Sequence, residues 1–174
     1  MPPSLAYWPA AVGLLVFVWL ELVYPDRAAP VVVGIFLVNY AAVQLVAAVW
    51  FGERWFAVGD AFEVYSALLG RLAPLGRDGE DCLVLRNPLR GVAALPARPG
   101  LAAVVVVLLG STAFDGLSRT RFWQEGPGVA NDTTSGTLGL LFMVGLVALL
   151  YLLATELPGR LAPASADTDT DTTD

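Results

Sequence analysis

The sequence predicts an all-α, polytopic membrane fold with about four transmembrane helices and one amphipathic interfacial helix. Three observations carry that expectation. Four apolar runs, at 5–24, 30–51, 100–117 and 137–157, are each about 18–22 residues long, the length an α-helix needs to cross roughly 30 Å of hydrocarbon. The 174 residues are 56% hydrophobic, with a mean hydropathy of +0.65. The stretch Leu101–Leu109 (LAAVVVVLL) has no polar face, whereas the helices of a soluble bundle are amphipathic.

The first run opens near Pro9, a residue tolerated at a helix start, and closes at Tyr24-Pro25-Asp26. Its leader, MPPSLAYWP, has no Lys or Arg, and the run is too long for the core of a signal peptide, so it reads as a retained span. Trp8, Trp19 and Tyr24 lie toward its ends, where interfacial aromatic residues collect. The tight turn PDRAA leads to Pro30 and the second run, so spans one and two are expected to form a helical hairpin.

Residues 52–99 form the long middle connection. Trp55, Val58, Phe62, Tyr65, Leu69 and Leu72 recur at spacings of three and four, which marks one face of a helix over 53–73. Glu53, Asp60, Glu63 and Gly70 fall on the other side. Such a helix lies in the membrane interface or packs over the spans. Pro74-Leu75-Gly76 ends it, 77–81 reads as a charged turn, and Cys82–Leu85 (CLVL) as a short, extended piece. Asn87-Pro88 marks another turn, and Leu89–Leu95 a second short interfacial helix. The third run closes in the polar cluster Ser111-Thr112-Ala113-Phe114-Asp115-Gly116. A loop at 124–136, rich in Gly, Asn, Asp and Thr, precedes the fourth run. A single membrane domain over 1–160 is expected, followed by a disordered acidic tail, 161–174, ending in DTDTDTTD.

All ten basic residues are Arg, against 16 Asp and Glu, for a net charge of −6. A chain without Lys, rich in Ala, Val and Gly and ending in an Asp/Thr tail, has the composition of a GC-rich, salt-adapted source such as a haloarchaeon. The acidic balance argues against nucleic acid as a partner, since that role needs a basic stripe. Six Arg (Arg54, Arg71, Arg77, Arg86, Arg90 and Arg98) lie between spans two and three. Arg27 alone lies between spans one and two, and Arg119 and Arg121 between three and four. The positive-inside rule then places 52–99 and both termini in the cytoplasm of a multi-pass cell-membrane protein.

Chemistry-bearing residues are sparse. The chain has no His, which removes His-based acid–base catalysis, His triads and His metal sites. Cys82 is its one cysteine, so no intrachain disulfide can form. No cofactor or metal is expected. Asp115 sits within a span, where an ionisable group usually faces a partner or a wet cavity. Ser111 and Arg119 lie four residues to either side of it on one helical face. Asp115 is then either a proton- or substrate-handling group held by Arg119, or a span-end carboxylate paired one turn on. Asn39 and Gln44 interrupt the second run, as hydrogen-bonding glue between helices or as ligand contacts. Asp60 and Glu63, three apart, are weak catalytic candidates together with Asp115, because paired carboxylates can do acid–base work. They serve equally as a solvated helix face.

Three blocks carry a resemblance: Gly52–Leu75 (GERWFAVGDAFEVYSALLGRLAPL), Leu83–Leu89 (LVLRNPL) and Gly110–Trp123 (GSTAFDGLSRTRFW). They resemble a group of multi-spanning membrane proteins of actinobacteria and archaea, some of which bear the name fenitrothion hydrolase. The resemblance runs from about Tyr7 to the fourth span. It implies a helical membrane fold and, by the name alone, hydrolysis of organophosphate esters. Members of the group are longer, with more spans on both sides, so this chain resembles a middle portion. Phosphotriesterases use His-rich metal centres and this chain has no His, so the resemblance carries over no catalytic residue. The sequence leaves three function classes: a non-catalytic subunit or helix-packing partner, in a homo-oligomer or with other membrane subunits; a permease-like protein with Asn39, Gln44 and Asp115 along its path; and a membrane hydrolase.

Overall fold

The structure, a computed structural model, describes residues 4–77, 82–85, 87, 98–125 and 132–161. The described residues are mainly helical. In chain order they form α1 (Trp8–Leu22), α2 (Pro30–Phe51), a single 3-10 turn (Glu53–Trp55), α3 (Phe56–Gly59) and α4 (Ala61–Leu72). A small hairpin of β1 (Leu75–Arg77) and β2 (Leu83–Leu85) follows, then α5 (Leu101–Ser118), α6 (Arg121–Glu125) and α7 (Thr133–Leu161). Three helices, α2, α5 and α7, are long and apolar enough to cross a membrane, as in a membrane protein.

The first apolar run departs from its expected extent. Only 15 of its residues are helical, because Ser4–Tyr7 form a turn and the helix ends at Leu22. At 1.5 Å per residue it is about 22 Å long. It is nevertheless the central helix. Ala10, Ala11, Leu14 and Val18 are buried in one core with Val104, Val107 and Phe114 of α5 and Leu140 of α7. Two alanines and Gly13 within about one turn let neighbouring helices come close, which is how apolar helices associate where lipid removes the hydrophobic drive.

Helix directions alternate. The Tyr7 N–H donates to the Pro99 carbonyl at 3.0 Å, so α1 and α5 start side by side and run parallel. Gly100 makes this junction possible. Its φ is +83° and a side chain there would lie 2.5 Å from the Trp8 nitrogen, so only glycine fits. α7 returns antiparallel to α5, with Gly110 against Val144 and Phe114 against Gly139. Trp19 Nε1 of α1 donates to Thr137 Oγ1 of α7 at 2.9 Å.

α2 also runs antiparallel to α1, but the expected hairpin is not close-packed. α2 reaches α1 through long side chains: the Phe17 and Phe36 rings lie 5.8 Å apart, and Tyr40 extends toward Gly13. Along all 22 residues of α2 only Gln44 is buried.

The single helix expected over 53–73 is broken. Asp60 leaves the helical conformation (φ −83°, ψ 119°) and caps α4, so the periodic run becomes a turn, a short helix and a twelve-residue helix. The buried residues follow the expected face only in part. Trp55, Gly59, Ala61 and Val64 are buried, while Tyr65, Leu69 and Leu72 are exposed. The break rotates α4 so that its small residues meet α1, with Ala61 at van der Waals distance from Gly13.

The helix does stop at Leu72 as expected, and the piece 83–85 is extended. Its partner strand β1 was not foreseen; Leu75 pairs with Leu85 and Arg77 with Leu83 in antiparallel register. α5 matches its expected span to within a residue. α7 starts four residues earlier than expected because Asp132 caps it, accepting from the Ser135 N–H at 2.9 Å, and it continues through Pro158 to Leu161. The turn at 78–81, the short helix expected at 89–95 and the tail beyond 161 lie outside the described residues.

A methyl group added at Gly110 would lie 2.6 Å from the Val144 Cα, backbone that cannot step aside. Gly110→Ala is therefore expected to destabilise the α5–α7 pair by about 1–3 kcal/mol. At Gly145 an added methyl meets nothing within 4 Å, and Gly145→Ala should hold or raise Tm. Thermal unfolding in detergent checks both, and equal melting of Gly110→Ala and the wild type would refute the close contact.

Candidate functional site

Between α2 on one side and α5 with the start of α7 on the other lies an open cleft of about 1700 Å³. Its position follows from the fold. α1 and α5 pack tightly, α7 covers α5, and α2 stands away, so the space between α2 and α5 is left unfilled. Leu14 and Phe17 of α1, Phe36 and Leu37 of α2, Phe62 and Tyr65 of α4 and Leu108 of α5 make apolar walls. The mouth is charged. Glu21, Arg27, Asp115, Arg119, Glu125 and Asp132 lie around it, at the end where α1 and α5 finish and α2 and α7 begin.

Four of the charged groups at the mouth (Arg27, Asp115, Arg119 and Asp132) have a local reason for their place. Arg27 Nη1 donates to the Leu22 carbonyl at 2.9 Å, closing a helix end whose last carbonyls lack intrahelical partners. Asp115 accepts from Arg119 Nε at 3.1 Å and Nη2 at 2.9 Å, a pair one helical turn apart. The side chains are 38% and 76% exposed, so this is a surface ion pair. Ser111, expected on the same face, is buried and donates to the Leu108 carbonyl at 3.0 Å, not to Asp115. Backbone and side-chain hydrogen bonds from Ser135 hold the Asp132 carboxyl below the usual carboxylate range.

The other candidates lie below the mouth, where α2 meets the broken helix. Tyr40 is the eleventh of 22 residues in α2, so it marks the middle of that helix. Its hydroxyl donates to Asp60 Oδ1 at 2.6 Å and accepts from the Ala61 N–H at 3.0 Å. The same Asp60 oxygen accepts from the Phe62 N–H at 2.9 Å and the Glu63 N–H at 3.4 Å. Asp60 and Tyr40 together thus satisfy the first three N–H groups of α4. Glu63 is exposed and joins Asp60 only through its backbone, so the two carboxylates do not converge on a common point. Among the described residues no group of three or more acidic or Cys side chains is placed to hold a metal ion.

Gln44 and Asn39 part company. Gln44 Oε1 accepts from Trp55 Nε1 at 2.5 Å and bonds α2 to the 3-10 turn, with the Phe51 and Trp55 rings stacked 5.3 Å apart beside it. Asn39 is exposed and donates to the Ile35 carbonyl of its own helix at 2.8 Å, so it bridges no helices. Sequence reasoning passed over Tyr40 and took Trp55 only as part of an apolar face; they are the hydrogen-bond partners of Asp60 and Gln44. A polar tip on an aromatic ring within an apolar run, or just beyond its end, is the signal that could have found them, since buried Tyr and Trp seek a hydrogen-bond partner.

No protein-family model, curated protein or solved structure matches this chain.

The two aspartates should differ in their effect on stability. Asp60→Ala removes a helix cap and a charge-assisted bond from Tyr40, and should cost roughly 2 kcal/mol. Asp115→Ala removes only an exposed ion pair and should cost under about 1 kcal/mol. Denaturant titration in detergent measures both, and an equal or reversed order would contradict the roles assigned here. The capped start of α7 adds a pH dependence. Because the folded-state pKa of Asp132 is depressed, its contribution is fully present above the ordinary carboxylate value and is lost as pH falls through the folded value. Asn also caps helices but does not titrate. The drop in Tm between about pH 5 and about pH 3 should therefore be smaller in Asp132→Asn than in wild type.

Proposed function

We propose that this chain is a four-span integral membrane protein acting as a non-catalytic, helix-packing subunit, with the cleft beside α2 as the seat for a helix of another membrane chain. The size and shape of the cleft carry this reading. Small-molecule sites run to about 300–1,000 Å³ and enclose their ligand, whereas this cleft is about 1700 Å³ and open. A void of that form, flanked by a 22-residue helix with a single buried residue, suits a helix better than a metabolite. The longer multi-spanning proteins that the sequence resembles have further spans of the kind that such a groove would take.

The alternating helix directions support four crossings, with α1 as the shortest. The six Arg between the second and third spans favour the cytoplasm for the side where α1 and α5 begin, so the cleft would open on the far side. In that frame the Asp60 break, level with the middle of α2, would lie deep in the membrane rather than on its surface. The interfacial helix is thereby replaced by a re-entrant element, tolerated at that depth because protein satisfies its backbone groups.

Hydrolysis is less well supported. Asp60 and Asp115 are occupied by capping and ion pairing, and Glu63 stands apart. Purified protein in lipid at high salt, with or without divalent metal, is expected to release no nitrophenol from a phosphotriester above a mock preparation. Release that falls in a carboxylate variant would reverse this. The subunit reading is tested by a photo-crosslinking residue at Leu37, on the cleft wall, in native membranes. A discrete adduct with one membrane protein is expected there, and lipid-only adducts would overturn the proposal.

A further inference from the structure

We infer that α2 is a movable wall of the cleft, held open by two side-chain latches, Tyr40–Asp60 and Gln44–Trp55. This rests on the subunit reading above and concerns regulation of the same site. The latches fall at the middle of α2 and one turn further toward Gly52. At the other end, Pro30–Ile35, every residue but Val32 is exposed, and beyond it the Phe36 ring meets Phe17 of α1. The cleft wall is formed by Val33 of this end with Phe36 and Leu37 next to it. Both ends of α2 can act as hinges. Gly52, with φ +76°, is a backbone position suited to glycine, and Tyr24–Ala29 is a short turn outside any helix.

The latches are few and polar, and they join α2 to the broken segment rather than to α1 or α5. Three hydrogen bonds and a handful of ring contacts set a small gap between arrangements, the condition for two populated states. The available motion is a swing of the Pro30 end across the cleft toward α5, which would bring Val33 and Leu37 toward Leu108 and Thr112. A helix seated in the cleft would block that swing, so occupancy and the open position favour each other.

The test uses the full chain in lipid nanodiscs without any partner, with Cys82→Ser to free the background for labelling. Spin labels at Ile35 of α2 and Leu109 of α5, both well exposed, report the width of the cleft by pulsed dipolar spectroscopy. A second pair, Leu109 with Leu146 of α7, reports the fixed part. Tyr40→Phe removes the latch hydroxyl but keeps the ring against Phe36 and Phe62. The ratio of short to long Ile35–Leu109 distances is expected to rise at least about fivefold in Tyr40→Phe, which loses both the bond to Asp60 and the one from the Ala61 N–H, with the Leu109–Leu146 distance unchanged. An unchanged Ile35–Leu109 distribution overturns the inference, as does a change in both pairs together, because the bundle and not the wall would then have moved. A Leu37 adduct in native membranes with unmoved distances would keep the partner and discard the movable wall. Shifted distances with lipid-only adducts would do the reverse.

Discussion

The first N–H groups of a helix have no partner within it, and the rest of this structure depends on how that problem is solved at α4. The break at Asp60 lies beside the middle of α2, among apolar side chains, where an unsatisfied backbone group is costly. One carboxylate oxygen and one phenol hydroxyl take up the N–H groups of Ala61, Phe62 and Glu63. Because the hydroxyl belongs to α2, solving the capping problem also ties α2 to the segment. Because the cap fixes where α4 begins, it selects Ala61 and Val64 as the residues that pack inward.

That arrangement explains the lopsided bundle. α1, with its small residues, is packed closely by α5 and α4 and touched by α7. α2 is joined through aromatic rings and three hydrogen bonds and remains largely uncovered. The cleft is the consequence. The small residues of α2 (Gly34, Ala41, Ala42, Ala47 and Ala48) are not buried, unlike Ala10 and Ala11 of α1. Phe36 and Tyr40 instead act as spacers, holding it at the distance of a ring pair.

The candidate chemical groups mostly have structural work. Asp60 caps, Gln44 receives the Trp55 indole, Asp115 pairs with Arg119, and Asn39 bonds back to its own helix. A carboxylate engaged in this way organises backbone and neighbouring side chains. The mixed charges at the mouth sit where helices end and begin, which is also where Asp and Arg help to satisfy helix termini.

Much of the fold was legible in the sequence because hydrophobic run length is a local property. The apolar stretches at 30–51 and 100–117 became helices almost residue for residue, and the Asp115–Arg119 pair followed from the four-residue period of a single helix. Pro74 and the CLVL stretch marked the end of α4 and the extended piece after it. What periodicity could not supply was the break at Asp60. The 3-4-3-4 pattern runs straight through it, and an aspartate within an amphipathic run reads as part of the polar face. Only the arrival of the Tyr40 hydroxyl from another helix turns that residue into a cap. The same holds for the inward face of α4, the shared start of α1 and α5 at Gly100, and the cleft itself. Sequence alone determined which segments are helical and apolar, because those choices depend on neighbours within a turn or two. Which faces meet, which stay bare and where a void remains were decided by tertiary structure, because they depend on contacts between residues far apart in the chain.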